Sequence, residues 1–188
     1  MCLQFAKASR QVFTSNLYLP EAMPDVVDAA TRSRMMSGIR GKNTRQEVAI
    51  RKALFMLGLR YRLHDPTLPG KPDLVFPRFR AVIFLNGCFW HAHDCHLFKW
   101  PQTRPEFWRT KILRNRENDK ANIAKLSAAG WRVLTIWECA LKGTQGRSVE
   151  AVAGDAAAWL HSKRGIWSIG SSSLKNTASN RRKVHFAT

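Results

Sequence analysis

The sequence predicts an α/β domain built on one central mixed sheet with helices on its faces. Three observations lead there. Segments of helical and strand periodicity alternate, in the order helix, three strands, helix, strand, helix. The run AVIF at 81–84 is continuously apolar, the pattern of a strand buried on both faces. Residues 104–129 carry a single apolar stripe at helical spacing.

Each element has a local reason. The first helix is predicted over 44–58: Thr44 and Glu47 fit a capping box, Ile50, Ala53, Leu54 and Leu57 share a face, and Gly58 ends it. Short strands follow in RYRLH, in DLVF after the turn LPGKP, and in AVIFLN. Pro72 cannot join a ladder, so the second strand should begin at Asp73. The long helix over 104–129 has Pro105 in its first turn and Gly130 after its end. WRVLTIW supplies a further strand, and 147–161 a last helix. Residues 1–22 show no periodicity and read as a dispensable extension or a start placed too early, since Met23 could itself begin the protein. The domain is expected over 23–162, and the Ser/Asn- and base-rich stretch 163–188 as a disordered tail.

Of the 188 residues, 31 are Lys or Arg and 13 are Asp or Glu, a formal charge of +18. Such an excess points to a polyanionic partner, most simply nucleic acid. The basic arm over 31–45, with Arg32, Arg34, Arg40 and Lys42, would grip a phosphate backbone. No apolar run reaches the roughly 18 residues that cross a bilayer, and the first residues lack the apolar core of a secretory signal. A cytoplasmic, nucleoid-associated protein is expected, so Cys2, Cys88, Cys95 and Cys139 read as thiols or metal ligands. No heptad or exposed-edge pattern predicts a dimer, and a monomer is expected.

The chemistry concentrates in four places. Asp73 stands at the mouth of a strand, where a carboxylate and the carbonyls of a neighbouring strand end would suit Mg²⁺; the plain alternative is an Asp that closes a turn. On the long helix, Trp108, Ile112, Asn115, Asp119, Ile123 and Leu126 form one stripe. Asp119 therefore faces inward and needs a partner, either an arginine or a histidine that it orients for proton transfer, with His91 the best candidate. In NGCFWHAHDCH, Cys88, His93 and Cys95 have the chemistry of zinc ligands, and Cys139, arriving at the end of WRVLTIW, would complete a tetrahedral set; His91 or His96 could replace His93. Phe89 and Trp90, with Trp108, are either core or rings held outward to wedge between bases. Glu47 is explained by its capping box, with a place near the metal as the second reading.

The segments ATRSRMMSGIRGKNT, LPGKPDLVF, VIFLNGCFWHAHDCH and WRVLTIWECAL, in this order, resemble the very-short-patch-repair (Vsr) DNA mismatch endonucleases, from about Met23 to Leu141. The resemblance implies a restriction-endonuclease-like α/β core with a structural zinc. It implies a Mg²⁺-dependent nick in one strand of double-stranded DNA, 5′ to the thymine of a T·G mismatch left by deamination of 5-methylcytosine. Carried over by position, it makes Asp73 the metal-binding aspartate and Leu85 the residue whose backbone carbonyl holds a second metal. His91 becomes the water-activating histidine, Asp119 its carboxylate partner and Glu47 an acid near the metal. Cys88, His93, Cys95 and Cys139 become the zinc ligands, and Phe89, Trp90 and Trp108 the intercalating aromatics.

One position departs from the pattern. Asn86 stands where the best-known members have a histidine. An amide can donate a hydrogen bond to a phosphate but cannot carry a proton or a positive charge, so a slower enzyme is expected. Two rivals follow: a zinc-stapled DNA binder that has lost catalysis, and a restriction-type nuclease acting on matched DNA.

Overall fold

The computed structural model describes residues 42–171 and five positions between 28 and 37. The extension over 1–22, Arg32, Arg40 and the tail beyond 171 lie outside the described residues. Arg34 is described, its guanidinium donating to Thr31 Oγ1 at 3.2 Å.

A five-stranded sheet runs in sequence order through β1 (Arg62–Leu63), β2 (Leu74–Phe76), β3 (Ala81–Asn86), β4 (Arg132–Trp137) and β5 (Ile166–Ile169). The first two pairings are antiparallel and the last two parallel, so the sheet is mixed. Strand alternation sorts the core into two faces. Leu74, Phe76, Ala81, Ile83, Leu134 and Ile136 pack with α1 (Arg45–Met56) and α3 (Val149–His161). Val75, Val82 and Val133 pack with Leu126 and Ile123 of α2 (Pro105–Ala128) on the other.

The capping box forms, with Glu47 N–H donating to Thr44 Oγ1 at 3.2 Å and Thr44 N–H to Glu47 Oε2 at 3.3 Å. Arg132, at the start of β4, donates to the carbonyls of Trp159 and Leu160 at 3.1 and 2.8 Å. A cation on the last carbonyls of α3 satisfies orphan acceptors and complements the helix dipole. Gly70 in the turn before β2 has φ +75°, and a Cβ there would lie 3.1 Å from Asn122, so only glycine lets this turn approach α2 so closely.

Three expectations need correction. The RYRLH strand shortens to Arg62–Leu63, because only those two residues find partners on β2. The second strand begins at Leu74, with the Asp73 side chain accepting from Leu85 instead. The tail does not begin at 163: Ile166–Ile169 pairs in parallel with β4 and belongs to the sheet.

Candidate active site and metal clusters

β3 and β4 run side by side and end level, with Asn86 opposite Trp137. Everything that follows them, from Gly87 and from Glu138, emerges at one end of the sheet, where parallel strands present their ligand sites. Two clusters of metal-type side chains form there.

The first gathers Cys88, His93, Cys95 and Cys139, whose candidate ligand atoms all lie within 4.8 Å of one another. His93 Nδ1 lies 3.6 Å from Cys88 Sγ and 3.5 Å from Cys139 Sγ. Bonds of about 2.3 Å to sulfur and about 2.05 Å to nitrogen at tetrahedral angles place such atoms roughly 3.5 Å apart, so the set fits one tetrahedral ion. Cys88 and Cys139 are fully buried. Cys139 N–H points to Cys88 Sγ and Ser171 N–H to Cys139 Sγ, each at 3.4 Å. Burial pushes the Cys88 thiol far up and holds His93 below its usual value, an effect the nearby Asp94 carboxylate opposes. A neutral imidazole is a ligand as it stands, whereas the Cys88 thiol must lose its proton to become one. His93 also stacks on Trp137, with ring centroids 4.0 Å apart. Of the alternatives left open among the histidines, His93 is the one the fold brings to the cysteines.

Ala92 explains how neighbouring histidines part company. Its φ of 47° is left-handed, so the chain turns sharply between His91 and His93. His93 joins the sulfurs, while His91 Nδ1 pairs with Asp119 Oδ2 of α2. One turn earlier, Asn115 donates to the Trp90 carbonyl at 3.0 Å. Asn115 and Asp119 thus hold the loop from one helix face at i, i+4 spacing. The partner for Asp119 is the histidine and not an arginine.

His91 and Asp119 line a cleft of about 310 Å³ together with Asp73, Leu85, Asn86 and Lys42. Asp73 Oδ2 accepts from Leu85 N–H at 2.7 Å. Burial raises the proton affinity of Asp73, opposed by that hydrogen bond and reinforced by the neighbouring Glu47 carboxylate. The second cluster, Glu47, His64 and Asp73, sits at this end of the cleft, again with ligand atoms within 4.8 Å. A carboxylate-rich set open to a cleft suits a hard cation that keeps some of its water.

Beside the cleft, Phe89, Trp90 and Trp108 touch edge to face or tilted, with centroids 5.1, 5.3 and 6.0 Å apart. All three rings are half-buried, intermediate between core and wedge. Lys111 Nζ lies within 6 Å of the Trp90, Phe107 and Trp108 rings. Phe107 and Trp100 are 45% and 38% exposed and extend the aromatic surface.

Sequence reasoning missed His64, Trp137, Asn115 as a tether and Lys111. Asn115 had a signal, since it shares the Asp119 stripe. His64 had none: it closes a two-residue strand and reaches the site through its backbone pairing, His64 N–H to Asp73 C=O at 3.3 Å.

Comparison with known proteins identifies the family. The family model for DNA mismatch endonuclease Vsr matches residues 24–97. The chain is 46% identical to the DNA mismatch endonuclease Vsr of Escherichia coli over 138 residues, covering 73% of this chain and 88% of that protein. It is 45% identical to the type II nicking enzyme V.XorIIP of Xanthomonas oryzae, over 63% of this chain and 88% of that one. It is 41% identical to the type II nicking enzyme V.NmeAIP of Neisseria meningitidis, over 64% and 86%. The chain belongs to the Vsr DNA mismatch endonuclease family and is a DNA endonuclease. No helix among the described residues is long and apolar enough to cross a membrane.

Proposed function

We propose that this Vsr-family endonuclease nicks one strand of double-stranded DNA 5′ to the thymine of a T·G mismatch, with Mg²⁺ as its catalytic ion and Zn²⁺ as a structural one. The observation that carries the reading is the cleft that unites Asp73 with the His91–Asp119 pair. There a carboxylate suited to a hard cation shares a cleft with a histidine held by a second carboxylate.

His91 is the general base. A neutral ring whose Nδ1–H donates to Asp119 presents the Nε2 lone pair to a water on the scissile phosphate. Asp119 orients the ring and stabilises its charge once it takes the proton. Asp73 and the Leu85 carbonyl are the residues that would hold Mg²⁺, which supplies Lewis-acid polarisation of the phosphate when bound. Asn86 lines the same cleft and donates a hydrogen bond to the phosphate without supplying charge. Phe89, Trp90 and Trp108 form the wedge. A wobble pair unstacks at lower cost than a matched one, and part of the mismatch selectivity follows. Cys88, His93, Cys95 and Cys139 hold Zn²⁺ and fix the loop that carries His91, Phe89 and Trp90. Lys42 at the cleft and the arm with Arg32, Arg34 and Arg40 bind the backbone. The mixed sheet with helices on both faces supports a restriction-endonuclease-like core.

The deciding assay is nicking of duplexes that carry a T·G mismatch in varied contexts, beside matched controls. A Mg²⁺-dependent nick 5′ of the mismatched T is expected. Equal cutting of matched DNA would establish the restriction-type alternative, and tight binding without a nick would mean that Asn86 has cost the chemistry.

A further inference from the structure

We propose that His64 is a protein ligand of the carboxylate metal site, together with Asp73 and Glu47, and that its nitrogen makes the site prefer a first-row divalent cation such as Mn²⁺ over Mg²⁺. The proposal rests on Asp73 being a metal ligand, as in the function proposed above.

The ring lies between the two carboxylates. His64 Nε2 is 3.3 Å from Glu47 Oε1, and His64 Nδ1 is 3.7 Å from Asp73 Oδ1. One imidazole gives one nitrogen to an ion, so the ring must turn to bring that nitrogen toward both carboxylates. One ligand atom from each of the three residues lies within 4.8 Å of the others, and neighbouring ligands of an octahedral ion with bonds near 2.1 Å stand roughly 3 Å apart.

A second observation points the same way. Glu47 Oε1 and His64 Nε2 are both buried, and among the described residues neither makes a hydrogen bond, despite their 3.3 Å separation. The Glu47 side chain is only 4% exposed. Its other oxygen, Oε2, is taken by the Thr44 N–H of the capping box, so the helix cap occupies one oxygen and leaves the other aimed at His64. Arg51 balances part of this charge at 3.5 Å from Oε1, but its Nη2 is committed to Asn43 at 2.8 Å. Buried polar atoms that make no hydrogen bond are rare in folded proteins and call for an ion or a water.

The backbone is bent to deliver the ring. His64 has φ 47°, a left-handed conformation uncommon outside glycine. The bend comes directly after β1, and the His64 N–H bond to the Asp73 carbonyl locks the two residues side by side.

The selectivity follows from donor chemistry. Mg²⁺ is hard, prefers oxygen and sheds water reluctantly, so it gains little from an imidazole. First-row divalent ions take up an imidazole more readily than Mg²⁺ does, an affinity that is smallest at Mn²⁺ and rises along the series. Mn²⁺ is the suitable probe, because the sulfur-rich cluster favours zinc and leaves the carboxylate site to manganese.

The experiment uses the full-length, zinc-loaded protein. Mn²⁺ binding is followed by electron paramagnetic resonance, Mg²⁺ by competition, and directly bound nitrogen by the pulsed-resonance coupling to ¹⁴N. The wild type should show the nitrogen coupling and bind Mn²⁺ at least tenfold more tightly than Mg²⁺. His64→Gln should lose the coupling and about tenfold in Mn²⁺ affinity, with Mg²⁺ affinity unchanged. No coupling in the wild type, or coupling and affinity that survive in His64→Gln, overturns the proposal; the wild-type spectrum decides even if the variant folds poorly. Asp73→Asn separates the parent reading: unchanged binding of both ions in that variant would remove Asp73 from the site, whatever His64 does.

Discussion

The two ligand clusters stand at the same end of one sheet and differ in almost every physical respect. The sulfur cluster is closed. Cys88 and Cys139 are fully buried, backbone N–H groups point at their sulfurs, and Gly170 and Ser171 cover them. The carboxylate cluster is open, with Asp73 21% and His64 17% exposed toward the cleft. Closed sets of protein ligands hold structure, and open ones leave places for water and phosphate. Burial raises the proton affinity of one member of each, Cys88 and Asp73, and a bound cation would favour the charged form of both. A chain can therefore keep two ions apart by donor softness and by how much of each shell the protein fills.

The strongest way to break this comparison is Cys139→Ala. A structural zinc contributes on the order of 10 kcal/mol to small zinc-stabilised folds, comparable to the whole stability of a domain. Loss of bound zinc and of cooperative unfolding is expected, by metal analysis and circular dichroism. Full zinc content in the variant would refute the four-ligand set.

Asp73→Asn should act at the open cluster alone. Nicking should fall by about a thousandfold or more, the scale of a lost catalytic charge, with DNA binding and zinc content kept. The same variant carries a pH signature. Burial holds the Asp73 proton affinity above the ordinary value of 3.8, so the folded, magnesium-free protein binds this proton more tightly than the unfolded chain. That contribution to stability is fully present below 3.8 and is lost as pH rises through the elevated folded value. Urea unfolding across this range should show the decline in the wild type and not in Asp73→Asn; identical slopes would contradict the assignment.

Asp119→Asn leaves a group that can still contact His91 but no longer favours its charged form. A loss of about 10²- to 10⁴-fold in nicking rate is expected, with mismatch binding unchanged. A rate within a factor of two of wild type would make the pair structural.

Gly170→Val has the smallest expected effect. A Cβ at this position would lie 3.3 Å from His93 Cε1 and 3.5 Å from Cys139 Sγ, and the branches of valine need more room still. A cost of about 1–3 kcal/mol and faster zinc loss to a chelator should result, with the nicking rate of zinc-loaded protein little changed. Wild-type zinc retention would mean that the segment after β5 does not seal the closed cluster.

Much of this arrangement is written in local pattern. The capping box of Thr44 and Glu47, the stripe that turns Asp119 inward, and the buried strands β3 and β4 follow from spacing within single segments. The cysteines and histidines are legible as ligands because few other roles suit that composition in so short a stretch. β5 was not legible: four residues beside glycines and serines become a strand only because β4 offers an open edge.

The sequence by itself determined the element order as far as α3, the chemistry of the sulfur-rich set and of the Asp73 and Glu47 carboxylates, and the family. The tertiary structure alone decided which histidine serves which cluster. A left-handed turn at Ala92 divides His91 from His93, and a cross-strand bond sets His64 between Glu47 and Asp73. Periodicity reports which face a residue occupies along one element. Metal sites and proton relays depend on contacts between elements far apart in the chain, and those exist only once the sheet has brought strand ends together.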